Sequence, residues 1–188
     1  MNSTRDQIIE KTCELLELQG YHATGLNQII KESDTPKGSL YYYFPCGKEE
    51  LALESINYVG GIVLNRIREN LALLDNPADA IREFIMKIAF NVERSDFRSG
   101  GPITTIAMET ASNSELLRKA CDKIYGEWQQ AFSDKLKTGG ISETRATRLA
   151  ALIISAIEGG VILCRTSQSK IPLEHVAQEI GEWIANLL

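Results

Sequence analysis

Apolar residues recur along this chain at intervals of three and four, and clusters of Ser, Asp, Asn, Gly and Pro separate the runs. That spacing lines apolar side chains along one face of a helix. In the first run Ile8, Thr12, Leu15 and Leu16 share a face, Ser3 with Asp6 resembles a capping box, and Gln19-Gly20 supplies the stop. A short helix follows Thr24, with Leu26, Ile29 and Ile30 on its apolar side. Ser33-Asp34-Thr35 reads as a turn, and Thr35-Pro36 as the N-cap and first-turn proline of a third short helix. Pro45-Cys46-Gly47 breaks that helix.

The segments that follow are longer. A helix is predicted from Lys48 to near Leu74, and Asn76-Pro77-Ala78-Asp79 caps another that ends near Arg94. Ser99-Gly100-Gly101-Pro102 is a loop before a short helix through Thr110. Ser112 with Glu115 is expected to cap a helix stopping at Gly139-Gly140; Ser142 begins the next, to near Thr166, and Pro172 the last. No segment alternates in the manner of a strand. The expected fold is all-α, three short helices followed by about six others, with residues 1–48 as one domain and 49–188 as a second.

Composition narrows this picture without redirecting it. The chain is 44% apolar and 24% charged, ordinary for a globular protein. No apolar run is read as approaching the roughly 20 residues of a membrane span, and no charged-then-apolar leader opens the chain, so a cytoplasmic protein with no membrane partner is expected. The four cysteines (Cys13, Cys46, Cys121, Cys164) lie far apart with no CxxC pair, which suits reduced thiols rather than a disulfide frame. The sequon Asn2-Ser3-Thr4 then carries no sugar. Net charge is −5, and residues 1–50 hold five basic residues against eight acidic ones. Any contact with nucleic acid must therefore rest on local geometry rather than on a basic field.

Catalytic signals are thin. "PCGKEE" has the Gly-Lys of a phosphate loop, but Tyr42 stands where its first glycine is needed and Glu49 follows the lysine. His22 and His175, the only histidines, have no ligand spacing around them, and no GxSxG elbow is present. No enzyme, metal or cofactor is expected.

Two short helices joined by a turn of three or four residues, the second entered through Thr-Pro, form a helix-turn-helix. Leu26, Ile29 and Ile30 of the first can pack against Leu40 and Phe44 of the second, which are four apart and share a face. That leaves Thr35, Lys37, Ser39, Tyr41 and Tyr42 facing outward, and Gly38 permits close approach.

The run "GYHATGLNQIIKESDTPKGSLYYYFPCGKEEL" resembles the DNA-binding signature of the TetR family of bacterial transcriptional regulators. The resemblance is carried by Gly20-Tyr21, Thr24, Ile29-Ile30, the turn, Gly38, Leu40-Tyr41, Phe44 and Lys48-Glu49-Glu50-Leu51, over about residues 5–55. It further resembles the branch containing the lincomycin-resistance regulator. The resemblance implies that Thr24 caps the second helix and touches phosphate, and that Thr35, Lys37, Gly38 and Ser39 face the major groove. Tyr41 and Tyr42 would bond phosphates or stack near sugars, and Lys48 would meet a phosphate. The loop at Cys46-Gly47 is one residue longer than the common pattern, and Tyr43 stands where the family often has histidine.

The resemblance also implies a homodimer on a palindromic double-stranded operator, formed by the last two helices. Ile154, Ile157, Gly159, Gly160, Val176, Ile180 and Trp183 are the interface candidates, with Gly159-Gly160 read either as a kink or local packing accommodation or as close helix approach across that interface. The middle helices would enclose a small-molecule effector, with Phe84, Ile88, Ile106, Met108, Tyr125, Trp128, Phe132 and Ile162 as lining or as plain core. Glu109 and Glu158 stand amid apolar residues, either orienting a polar group, capping a buried network or reaching solvent. Gly60-Gly61 inside the fourth helix suggests a hinge. The reading is a repressor released by a small apolar or aromatic ligand. The other reading, given room by the acidic N-terminal half, is a helical ligand-binding or protein-interaction module with a vestigial helix-turn-helix.

Overall fold

The computed structural model describes residues 3–188, so Asn2 of the sequon lies outside the described residues. Nine α-helices and no strand are present among the described residues: α1 (Thr4–Ala23), α2 (Leu26–Glu32), α3 (Lys37–Tyr43), α4 (Lys48–Leu71), α5 (Pro77–Arg94), α6 (Thr104–Thr110), α7 (Glu115–Thr138), α8 (Glu143–Ser167) and α9 (Ile171–Ala185). They fall into two compact units, one taking the chain up to Ile62 together with Gly101–Ile124, the other Val63–Gly100 with Tyr125–Leu188.

Local chemistry sets most of the boundaries. The Ser3 hydroxyl accepts from the Asp6 amide at 3.2 Å while the Asp6 carboxylate accepts from the Ser3 amide at 3.1 Å, so two amides of the first turn are satisfied reciprocally. Asn76 accepts from Ala78 and Asp79 at 2.8 and 3.2 Å ahead of Pro77. The cap of α7 is Ser114, accepting from Leu117 at 3.1 Å. Ser112, the expected cap, instead bonds Asn113 and stands outside the helix. In α1 the regular helix does break at Gly20, whose φ of 82° is left-handed, but one more turn follows to Ala23.

In the first unit α1 packs on α2, α3 and α6. Ile8, Ile9 and Leu15 meet Ile29, Leu40, Phe44 and Leu51 in one cluster, with Leu26 and Ile30 against its edge. The predicted pairing of the two short helices is thereby observed. In the second unit α5, α8 and α9 pack on one another, and Phe84 meets Phe132 edge-on at 5.7 Å. By length and hydropathy α8 could cross a membrane, which the sequence reading did not anticipate; yet 44% of its most apolar stretch is buried within the protein, as in a core helix. All four cysteines are free. Burial pushes the Cys13 thiol up to about 12 and the Cys121 thiol up to about 11, whereas Cys46 is exposed.

In the pair Gly60-Gly61 only the first glycine has a packing explanation. A Cβ on Gly60 would lie 2.7 Å from Cδ1 and 3.0 Å from Cγ2 of Ile124, so its absence lets α7 approach, and α4 runs through Gly60-Gly61 as continuous helix. Gly61 faces open space. Gly60→Ala is therefore expected to destabilise by about 1–3 kcal/mol through overpacking. Gly61→Ala should stabilise by up to about 1 kcal/mol through helix propensity. Urea unfolding of the two variants checks both signs; a loss of stability in Gly61→Ala would contradict the assignment.

Candidate nucleic-acid interface

Helix α3 has only two turns in which to be anchored and exposed at once. Leu40 and Phe44, one turn apart, are 0% and 1% exposed. The side chains between and before them face water: Tyr41 is 44% exposed and Tyr42 79%, Tyr43 stands at the margin, and Lys37 and Gly38 are open. Ser39 is half-buried. Three consecutive tyrosines cannot share one helical face, because successive residues are turned by about 100°. Tyr42 and Tyr43 meet edge-on at 5.0 Å, and the Lys37 ammonium lies 6.0 Å from the Tyr41 ring centroid. The exposed face is thus a lysine, a glycine and a serine at the helix start, followed by aromatic hydroxyls.

The turn that sets α3 against α2 is closed by side chains. Asp34 sits at φ 52°, in the left-handed region that a short polar residue tolerates. The Ser33 and Thr35 hydroxyls lie 2.8 Å apart, and Thr35 is buried, which corrects its expected place on the outer face. Its hydroxyl braces the turn and Pro36 takes the N-cap position. Thr24 likewise departs from its expected capping role. Its hydroxyl donates back to the Gly20 carbonyl at 2.7 Å and accepts from Gln19 at 3.3 Å, while Gly25 is the N-cap of α2. A threonine hydroxyl can bond the preceding turn as readily as the following one, and here the left-handed Gly20 presents that carbonyl.

Lys48, at the start of α4, is folded over the Tyr21 ring, 4.4 Å from its centroid, with Nζ 3.5 Å from the His22 carbonyl. Desolvation in that seat pushes its pKa down, against an opposing pull from Glu109. Neither Tyr21 nor Glu109 was assigned to this site from sequence. The Glu109 carboxylate accepts from the His22 amide at 2.9 Å, a contact 87 residues apart that no local pattern could announce.

The remaining candidates scatter. On α5 and α7, Phe84, Trp128 and Phe132 are buried, Ile88 and Tyr125 are half-buried, and Tyr125 meets Trp128 edge-on at 5.4 Å. Ile106 is buried in α6, but Met108, two residues on, points to the opposite side and is 76% exposed; Ile162 of α8 is also exposed. Neither belongs to an interior lining. Of the interface candidates, Ile154, Ile157 and Ile180 are covered by their own chain, Val176 is half-buried and Gly159 faces open space. A Cβ on Gly160 would meet Leu173 at 2.6 Å, so that glycine serves the contact between α8 and α9 of one chain. Trp183 is exposed and, with Arg145, Arg148, Leu149 and Leu152, borders an open groove of about 340 Å³ missed in the sequence. The signal was available: Arg145, Arg148, Leu152, Ser155, Gly159, Ile162 and Thr166 alternate at spacings of three and four along α8, and each is exposed or half-buried.

No group of three or more His, Cys, Asp or Glu side chains gathers to hold a metal among the described residues. Residues 8–54 match the family described as "Bacterial regulatory proteins, tetR family", and residues 77–179 match "Transcriptional regulator LmrA/YxaF-like, C-terminal domain". The chain is 45% identical over 177 residues to the uncharacterized HTH-type transcriptional regulator YxaF of Bacillus subtilis, covering 94% of this chain and 93% of that protein. It is 39% identical over 179 residues to the HTH-type transcriptional regulator LmrA of the same organism, covering 95% of each. Among solved structures it resembles the reduced form of E. coli NemR with a TM-score of 0.84 at 23% identity, over 95% of this chain and 96% of that one.

The Thr24 assignment has a direct test. Thr24→Val preserves the shape of the side chain but leaves the Gly20 carbonyl without its hydroxyl donor, and should cost about 1 kcal/mol. Thermal unfolding reads the loss; an unchanged midpoint would rule out a bracing role.

Proposed function

The chain belongs to the TetR family of bacterial regulatory proteins and is a DNA-binding transcriptional regulator, and on that premise we propose that it is a homodimeric, cytoplasmic repressor released from a palindromic operator by a small apolar or aromatic molecule. The observation that carries the reading is the division of α3 into a buried anchor, Leu40 and Phe44, and an open face. In this proposal Lys37, Gly38 and Ser39 approach base edges in the major groove, and Tyr41 and Tyr42 donate to phosphates. Tyr43 buttresses Tyr42 through its edge-on contact. Thr24 and Thr35 act on the shape of the head, since their hydroxyls are engaged within the chain. Lys48 reaches phosphate only by leaving the Tyr21 ring. Residues 1–48 are then the reading segment, and 49–188 carry the effector site and the dimer contacts.

A helix of seven residues spans only a few base pairs, so two copies about one DNA turn apart are needed for useful specificity. The exposed stripe on α8 with Trp183 of α9 supports a pairing surface: Leu152, 45% exposed, and Trp183, 40% exposed, border one groove with Arg145 and Arg148, and Ile162, 46% exposed, lies further along the same stripe. The aromatic pairs Phe84–Phe132 and Tyr125–Trp128 support an apolar or aromatic effector in the second unit.

A footprint on the promoter of the chain's own gene tests the regulator directly; protection of two half-sites about one helical turn apart is expected, and a single unpaired half-site would count against the dimer. Lys37→Ala should weaken operator binding and lower the salt slope by about 1 for each phosphate it contacts, whereas Tyr42→Phe should cost about tenfold in affinity. Anisotropy titrations at several salt concentrations measure both, and with so few cations in the head the wild-type slope itself should be modest. Leu152→Glu should shift the chain to monomer in sedimentation velocity and abolish two-site protection. A dimer that survives this change places the subunit contact elsewhere.

A further inference from the structure

The corner between α1 and α2 is held by groups from two distant parts of the chain. The His22 amide donates to Glu109, in the last turn of α6, at 2.9 Å, and the Lys48 ammonium approaches the His22 carbonyl at 3.5 Å while resting on the Tyr21 ring. One residue thus has a carboxylate at its N–H and an ammonium near its C=O. Glu109 also fills the space that a side chain at residue 20 would occupy: a Cβ on Gly20 would lie 2.2 Å from Oε1 and 2.8 Å from Cδ. The left-handed φ of Gly20 and the missing side chain are both required for the carboxylate to reach the corner. Glu109 is moreover placed against the helix dipole, an acid at the C-terminal end of α6, where a carboxylate is disfavoured unless it has partners elsewhere.

We propose that Glu109 is a positioning residue for DNA recognition, a latch that fixes the Gly20–His22 corner from which α2 and α3 hang. The latch works through reach and through acceptance of the His22 amide. Its charge, drawn toward Lys48, is secondary. The inference rests on the chain's being a DNA-binding regulator and concerns a residue outside the reading helices. All of its parts lie in the first compact unit.

Three substitutions separate reach from charge. Glu109→Gln keeps the length and an amide acceptor but not the charge; Glu109→Asp keeps the charge but is one methylene short; Glu109→Ala keeps neither. The probe is the duplex that the wild-type chain selects from a random library, and the readouts are anisotropy titration and amide hydrogen exchange at His22. Glu109→Ala and Glu109→Asp should each weaken duplex binding tenfold or more and speed His22 exchange at least tenfold, and Glu109→Gln should restore both to within threefold of wild type. Retained binding in Glu109→Asp with loss in Glu109→Gln would overturn the latch, and so would wild-type binding by all three. Should Glu109→Ala fail to fold, the Asp and Gln variants decide alone, each with its thermal midpoint recorded. A wild-type chain that selects no duplex would refute the proposed repressor instead, and His22 exchange in the variants still decides the latch.

Discussion

Everything at the reading surface depends on how firmly a seven-residue helix can be held by two side chains. An isolated helix of that length is not stable in water, so α3 exists because Leu40 and Phe44 are driven into the cluster formed by Ile8, Ile9, Leu15, Ile29 and Leu51. Burying two side chains of that size contributes roughly 3–6 kcal/mol, enough to hold two turns in place. Two turns anchored on one side leave the other side free of any packing duty. Lysine, serine and tyrosine can then occupy it without disturbing the anchor, and Gly38 costs only its helix propensity, up to about 1 kcal/mol.

That division explains which features were legible from the sequence. The anchor, the caps at Ser3 and Asn76 and the stop at Gly20 depend on residues within four positions of each other, and their spacing encodes them. Thr24 and Thr35 were misplaced because residue type does not say whether a hydroxyl turns outward or back to its own chain. Met108 and Ile162 were misplaced because an apolar residue on a helix need not be on its buried face. For Gly160 the two readings, local packing and approach of a partner chain, could not be told apart by residue type, and it is Leu173 of its own chain that fills the space. In each case the deciding contact is a carbonyl, a hydroxyl or a side chain whose position follows only from the folded backbone.

The acidic head poses an electrostatic question that the geometry partly answers. Basic side chains are scarce there, and two of them have internal uses. The Arg5 guanidinium bonds Glu54 at 2.7 Å and lies 5.6 Å from the Phe44 ring, and Lys48 rests on Tyr21. Lys37 alone stands at the open start of α3, so in the proposed complex aromatic hydroxyls and backbone amides would supply most of the remaining donors to a phosphate backbone. Donors without net charge are less sensitive to salt than ammonium groups, and they favour a tightly defined approach over long-range attraction. The vestigial alternative drew its room from this acidity, but both the reading segment and the C-terminal helices match the same family of regulators.

The distribution of thiols has a practical consequence. Cys121 and Cys164 are buried, Cys13 is shielded with its thiol donating to the Ser55 carbonyl at 3.3 Å, and burial keeps all three protonated well above neutral pH. Cys46 is exposed, three residues beyond the end of the reading helix. A maleimide dye applied at neutral pH to the native chain will therefore mark a single position beside the exposed face of α3. The natural sequence already provides a site for a fluorescent reporter, with no cysteine to add and none to remove.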